Sequence, residues 1–289
     1  EQYSCDAVSR AFARATNGSD CREVRQRDLL RALDAARTDK RIERVVLELD
    51  DLQPSGFASL RDVAAAVAAL RKAGKHVVAF GENYGQGQYL LAAQADEVYL
   101  DPDSMGGVML EGLGRYRQYF REGLEDKLGV DMHLFKVGEY KSAAEPYVLD
   151  AASPEAKEAD LYWMNDIWQR MLADIGAARK IAPATLAAQI DAMPQQVAAA
   201  RGDLAQMAVA QKLVDGLKTR EQMDELLAQR GMADEDAEGG FRQVGLEGYL
   251  QHVDGALPKA DTRPQVAVVV AEGGIASGDL PPGQVGGES

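Results

Sequence analysis

Four short apolar runs, each followed by a turn or a helical pattern, constrain this chain more than anything else in it. RVVLEL (Arg44 to Leu49), HVVAFG (His76 to Gly81), EVYL (Glu97 to Leu100) and MHLFKV (Met132 to Val137) have the length and the β-branched and aromatic content of buried strands. Between them, Leu60 to Ala73 carries apolar residues at three and four spacing and closes with Lys72-Ala73-Gly74-Lys75. Gly87 to Ala95 and Arg117 to Leu128 read as further helices. Strands of this length alternating with helices predict a parallel sheet with crossover helices, that is, an α/β chain built from βαβ units.

Beyond residue 150 the pattern becomes helical. Ser153-Pro154-Glu155 is a helix start, and the run to Lys180 places Leu161, Trp163, Met164, Ile167, Trp168 and Leu172 on one broad apolar face. Such a face predicts a long helix that projects onto another surface. Shorter helices are expected at Pro183 to Ile190 and Asp203 to Gln211, and an acidic, glycine-containing loop at Met232 to Gly240. PQVAVVVAEGGIASGD (Pro264 to Asp279) then opens a new strand after a polar linker. Residues 1–260 are therefore read as one domain, and 261–289 as a linker and the first strand of a second, truncated one. The chain starts at Glu1 and is read as an excised piece.

Charge excludes some partners. With 32 Lys and Arg against 46 Asp and Glu, the formal net charge is −14, which argues against nucleic acid or an anionic membrane surface as the main partner. No run reaches the roughly 18 to 20 apolar residues of a membrane span. His76, His133 and His252 lie far apart without metal-ligand spacing, and read as structural. Gly81-Glu82-Asn83-Tyr84-Gly85-Gln86-Gly87 follows a strand but carries neither a P-loop Lys-Ser/Thr nor a dinucleotide fingerprint, so it reads as a tight strand-to-helix turn. Asp50-Asp51 ends a strand where a metal is sometimes bound, but no third ligand follows, and a solvated loop is the simpler reading. No metal or organic cofactor is expected.

FKVGEYKSAAEPY (Phe135 to Tyr147) stands out differently. Lys141 is followed by Ser142, Ala143 and Ala144, small uncharged residues that permit burial of an amine. A free lysine has a pKa near 10.4, so at pH 7 roughly a few molecules in ten thousand are neutral, and a general base must be shifted by desolvation. A neutral lysine can take the proton of a serine hydroxyl in a Ser/Lys dyad. The residue types alone leave open a solvated lysine, with Lys127 and Lys136 as rival cations.

Three segments in order, GENYGQGQYLLAAQADEVYLDP (Gly81 to Pro102), FKVGEYKSAAEPY and SPEAKEADLYWMNDIW (Ser153 to Trp168), closely resemble the amino-terminal half of the long, duplicated form of the bacterial signal peptide peptidase A family. The likeness spans nearly the whole chain, and Gly138-x-Tyr140-Lys141-Ser142-Ala143 matches the family's lysine motif position by position. The resemblance implies a ClpP/crotonase-like fold. It further implies a homotetramer anchored in the bacterial inner membrane by a helix outside this chain, with its catalytic part facing the periplasm. The implied substrates are cleaved signal peptides and other hydrophobic peptides. In this reading Lys141 is the general base, with Gly138, Tyr140 and Ser142 supporting it, and the nucleophilic serine comes from the second half of the protein, beyond Ser289. In a periplasmic setting Cys5 and Cys21 can pair, closing a loop worth about 3 kcal/mol in the chain-entropy model; two free thiols are the alternative.

The sequence departs from the family in one respect. No Asn-Ser-Pro-Gly-Gly type turn occurs, and the equivalent stretch, LELDDLQPSGFASL (Leu47 to Leu60), places Ser55 after the proline, as in a degenerate copy. The piece alone is therefore expected to be inactive. A crotonase-type acyl-CoA enzyme and a non-catalytic oligomerisation scaffold are the alternatives of the same fold.

Overall fold

The computed structural model describes residues 24–53, 56–255, 274–278 and 284–286. Cys5, Cys21 and Ser55 lie outside the described residues, as does the stretch expected to open a strand at Pro264 up to residue 273. In chain order the main elements are α1 (Gln26–Thr38), β1 (Arg44–Glu48), α2 (Phe57–Lys72), β2 (His76–Gly81), β3 (Tyr84–Gly85), α3 (Gln86–Ala92), β4 (Glu97–Leu100) and β5 (Val108–Met109). They continue with α4 (Glu145–Val148), α5 (Pro154–Arg179), α6 (Pro183–Asp191), α7 (Met193–Ala199), α8 (Leu204–Ala210), β6 (Gly216–Leu217), α9 (Arg220–Arg230) and α10 (Leu246–Gly255). Two short strands, β7 (Gly274–Ala276) and β8 (Gln284–Gly286), pair in parallel with each other.

The main sheet has the order β1-β2-β4-β6, and every pairing in it is parallel. Its centre shows why both faces must be covered. Along β2 the side chains alternate: Val77 and Ala79 join the core formed with α1, α2 and α3, while Val78 and Phe80 pack with Met223, Leu227 and Phe241 on the side of α9. Three of the four apolar runs, RVVLEL, HVVAFG and EVYL, thus become strands β1, β2 and β4 of a mixed α/β architecture, the fold class the resemblance implies.

α5 joins this body at one end only. Ser153 caps it, its Oγ accepting from the N–H of Ala156, and Pro154 occupies the first helical position. Met171, Leu172 and Ile175 in its second half are buried, but Leu161, Tyr162 and Trp163 in its first half are exposed. Arg179, at the far end, makes two 2.9 Å hydrogen bonds to Asp215, whose carboxylate also accepts from Val98 N–H of β4. The helix is therefore clamped to the sheet at its carboxyl end and projects at its amino end.

Two sequence expectations are corrected. MHLFKV is not a strand: residues 129–136 have no regular structure, and Phe135 is 95% exposed. A strand needs a neighbour to take its backbone hydrogen bonds, and the described residues provide none there. Of the helix expected from Arg117 to Leu128, only Arg121 to Lys127 is helical, with π-type pairing over Glu122–Lys127. The other expected helices and the loop near Met232 form within a few residues of their assigned ends.

Candidate functional site

The chain leaves the core after Leu110, which is buried, and returns to it at Ala156. Between Glu111 and Glu155 it forms a polar and apolar arm lying against the projecting half of α5. Every residue from Glu125 to Lys141 is exposed. The arm carries Lys141, and a set of hydrogen bonds fixes its course.

Gly138 begins the local turn. Its φ is +99°, beyond even the left-handed region that L-residues visit, and Lys141 N–H reaches its carbonyl at 3.4 Å. Tyr140 Oη donates to Glu158 of α5 at 3.1 Å. Burial of the phenol is slight; the bond to Glu158 and the charge beside it raise the Tyr140 hydroxyl above its ordinary value. Ser142 Oγ accepts from Arg117 Nη1 at 3.3 Å, and Arg117 also meets Asp160 of α5 at 3.4 Å. Arg115 reaches the same Asp160 at 2.5 Å. Further along, Phe120 N–H donates to Pro146 O at 2.7 Å, and the Phe120 and Tyr147 rings stack with centroids 6.1 Å apart.

Glu145, the first residue of α4, is the strongest link. Its carboxylate accepts from Ser153 Oγ at 2.6 Å and from Ser153 N–H at 3.2 Å. Burial by itself would raise this carboxyl. The two bonds from Ser153 and the cations Lys136 and Arg117 outweigh that and hold it below its ordinary range.

The three supporting positions named from the sequence thus share one turn with Lys141. Ser142 bonds Arg117, and Tyr140 bonds α5. Lys141 itself is exposed, with no ion pair among the described residues. Sequence reasoning missed Glu145, Arg117 and Asp160. A glutamate before a proline carries the signature of a solvated helix start, and the partner that buries it lies eight residues away, so no local pattern marks it.

The other candidates resolve into structure. Asp50 Oδ1 accepts from Glu82 N–H at 2.9 Å and so ties the end of β1 to the glycine-rich turn, which leads from β2 into α3. His76 meets Glu97 at 2.9 Å, His252 lies against Arg41, and His133 is exposed. Among the described residues no group of His, Cys, Asp and Glu is placed to hold a metal ion, and no helix is long and apolar enough to cross a membrane.

The profile of Peptidase family S49 matches residues 69–233, a span that contains the sheet centre, the arm and α5. This chain belongs to peptidase family S49. Among S49-type relatives, "Protease 4" of Salmonella typhi is 36% identical over 262 residues, which cover 91% of this chain and 41% of that protein. "Protease 4" of Haemophilus influenzae is 31% identical over 268 residues, covering 93% and 43%. "Serine protease SPPA, chloroplastic" of Arabidopsis thaliana is 25% identical over 140 residues, covering 48% and 20%. The chain thus spans about two fifths of the length of the two Protease 4 proteins. Within S49, the arm that bears Lys141 falls inside the matched span.

Proposed function

We propose that this chain is the lysine-bearing portion of a Ser/Lys endopeptidase that degrades cleaved signal peptides and other hydrophobic peptides. Lys141 is the general base, and the nucleophilic serine is supplied by the second half of the same protein, beyond Ser289. The observation that carries this reading is the placement of Lys141 on a braced turn beside an uncovered apolar surface. Phe135, Val137 and Tyr140 of the arm and Leu161, Tyr162 and Trp163 of α5 all face solvent. A partner that buried these side chains would gain about 25 cal/mol per Å² of apolar area.

Such a partner also answers a chemical need. A lysine acts as a base only as the neutral amine, and the described residues leave the Lys141 side chain in water. Desolvation must then come from what docks on the arm: the second half, a neighbouring subunit of a homotetramer, and the bound apolar peptide. The amine, once dry, accepts the serine proton as the hydroxyl oxygen attacks the scissile carbonyl, and later returns a proton to the leaving amine. Attachment to the bacterial inner membrane through an anchor outside these residues, with the site facing the periplasm, fits a substrate released from that membrane.

The test is to label the full-length protein with a serine-reactive phosphonate and map the adduct. The reading expects one labelled serine beyond Ser289, and no hydrolysis of an apolar fluorogenic peptide by residues 1–289 alone. An adduct on Ser142, Ser153 or another serine of this chain, or activity in the isolated chain, would overturn it. Absence of any labelling or hydrolysis in the full-length protein would favour the scaffold instead.

A further inference from the structure

From Glu111 to Glu155 one residue alone is buried, and it is a carboxylate. Glu145 is 1% exposed, while every neighbour in the arm is exposed or half-buried. Apolar side chains are the usual residues sunk into a core, and carboxylates are buried when they are paired. Here the apolar side chains of the arm are at most half-buried, and the acid is its one buried side chain.

The bonding around Glu145 is matched to that burial. Ser153 Oγ accepts from Ala156 N–H at 3.1 Å and donates to Glu145 Oε1 at 2.6 Å, so the hydroxyl proton has one direction. Ser153 N–H, free of a helical partner because it precedes the first turn of α5, donates to Glu145 Oε2 at 3.2 Å. The carboxylate therefore sits at the amino end of a 26-residue helix, where the aligned peptide dipoles favour negative charge. Lys141 lies one turn earlier: Glu145 N–H bonds Ser142 O at 3.2 Å, and Lys141 N–H bonds Gly138 O. A displacement of Glu145 passes directly to the lysine backbone.

We infer that Glu145 is a positioning residue for catalysis, which through Ser153 locks the lysine-bearing turn to the start of α5 and so sets where the Lys141 amine meets the serine. The inference rests on the reading of Lys141 as the base. It adds that α5, clamped to the sheet by Arg179 and Asp215, is the rigid reference for that base. Arg117 supplies a second, weaker tie through Ser142 and Asp160.

The test is steady-state hydrolysis of an apolar peptide by the full-length protein and its variants, with thermal melting of each. Glu145→Ala is expected to lower kcat roughly 100-fold with KM within about twofold, because a misplacement of order 1 Å costs about that much. Glu145→Gln keeps the shape; its carbonyl accepts Ser153 N–H and its amide donates to Ser153 Oγ, so kcat returns to within about fivefold of the parent. Ser153→Ala lowers kcat about tenfold, and adding it to Glu145→Ala lowers kcat no further, since both act through one link. Lys141→Ala in the same protein separates the claims: if it leaves activity intact, the base assignment fails. If Lys141→Ala abolishes activity while Glu145→Ala and Ser153→Ala keep the parent kcat, the positioning role is wrong. A rise in KM in place of the fall in kcat also overturns it. Should Glu145→Ala not fold, the Ser153→Ala and Glu145→Gln pair decides on the same criteria.

Discussion

Replacing Gly138 by alanine isolates the backbone geometry of the lysine turn from everything else in the arm. At φ +99° an L-residue is strained, and the cost of such a conformation is about 1–2 kcal/mol. No other penalty enters. A Cβ built at Gly138 meets only Lys141 Cγ, at 4.0 Å, an ordinary contact. Because the surrounding residues are exposed, the strain is relieved by opening the turn locally, not by unfolding the domain. A cost of about 1–2 kcal/mol reduces the population of the closed turn relative to the open one by about fivefold to thirtyfold at 25 °C. If hydrolysis requires the closed turn, kcat of the full-length Gly138→Ala protein falls by up to that factor, while the melting temperature stays within about a degree of the parent. Peptide hydrolysis and differential scanning calorimetry on the same preparation measure both. Unchanged kcat would show that the turn does not position the lysine. A fall of many degrees in melting temperature would show that the arm belongs to the cooperative core, contrary to its exposure.

Three further outcomes are expected. Phe80→Ala removes a ring that is 1% exposed between the sheet and α9, with the Arg220 guanidinium 4.5 Å above it; urea unfolding should give a loss of about 3–5 kcal/mol, and a loss below about 1 kcal/mol would mean that this face is not packed. Glu145 has a lowered carboxyl, so its contribution is present above the ordinary value of about 4.3 and is lost as pH falls through the lower folded value. Amide exchange at Ser153 and Ala156 should therefore be slow at pH 6 and lose its protection on acidification below that range, and protection retained after the carboxyl has protonated would contradict the link from Glu145 to Ser153. Phe135→Ser should leave the stability of the isolated chain within about 0.5 kcal/mol, since the ring is 95% exposed, and, if the proposed homotetramer covers this ring, should weaken association of the full-length protein in sedimentation velocity. Unaltered association would place the docking face elsewhere.

How far the sequence could be read depended on whether a residue's partner is local. The continuous apolar run in HVVAFG was enough to place a buried strand, because such a run is stable only with both faces covered, as Val77 and Phe80 now show on opposite sides. Ser153-Pro154 marked the start of α5 to the residue, since capping is decided within one turn. MHLFKV had the composition of a strand and failed as one, because pairing depends on a neighbour that composition does not reveal. The site divided in the same way. Lys141 was named as a candidate from the motif that resembles the family's, and Gly138, whose φ is +99°, was named with the same motif. Glu145 was invisible because its burial depends on Ser153, and Arg117 because Asp160 lies 43 residues on. The exposed apolar side chains of α5 were legible as a face seeking a cover, and the described chain leaves their amino-terminal half open.

In the proposed mechanism the amine of Lys141 works as a base on a serine held by another part of the protein. The most direct measurement is kcat/KM for an apolar fluorogenic peptide with full-length protein carrying Lys141→Ala or Lys141→Arg, beside Lys136→Ala as a neighbouring cation. Both Lys141 variants should lose roughly 1,000-fold or more, because serine, base and bound peptide act as a unit. Arginine should not rescue, since its guanidinium stays protonated at any working pH. Lys136→Ala should stay within about tenfold of the parent, since a nearby charge tunes the site by no more than about 1–2 kcal/mol. Substantial hydrolysis by Lys141→Arg would contradict the account, for a side chain that cannot release its proton would then be doing the work assigned to a neutral amine.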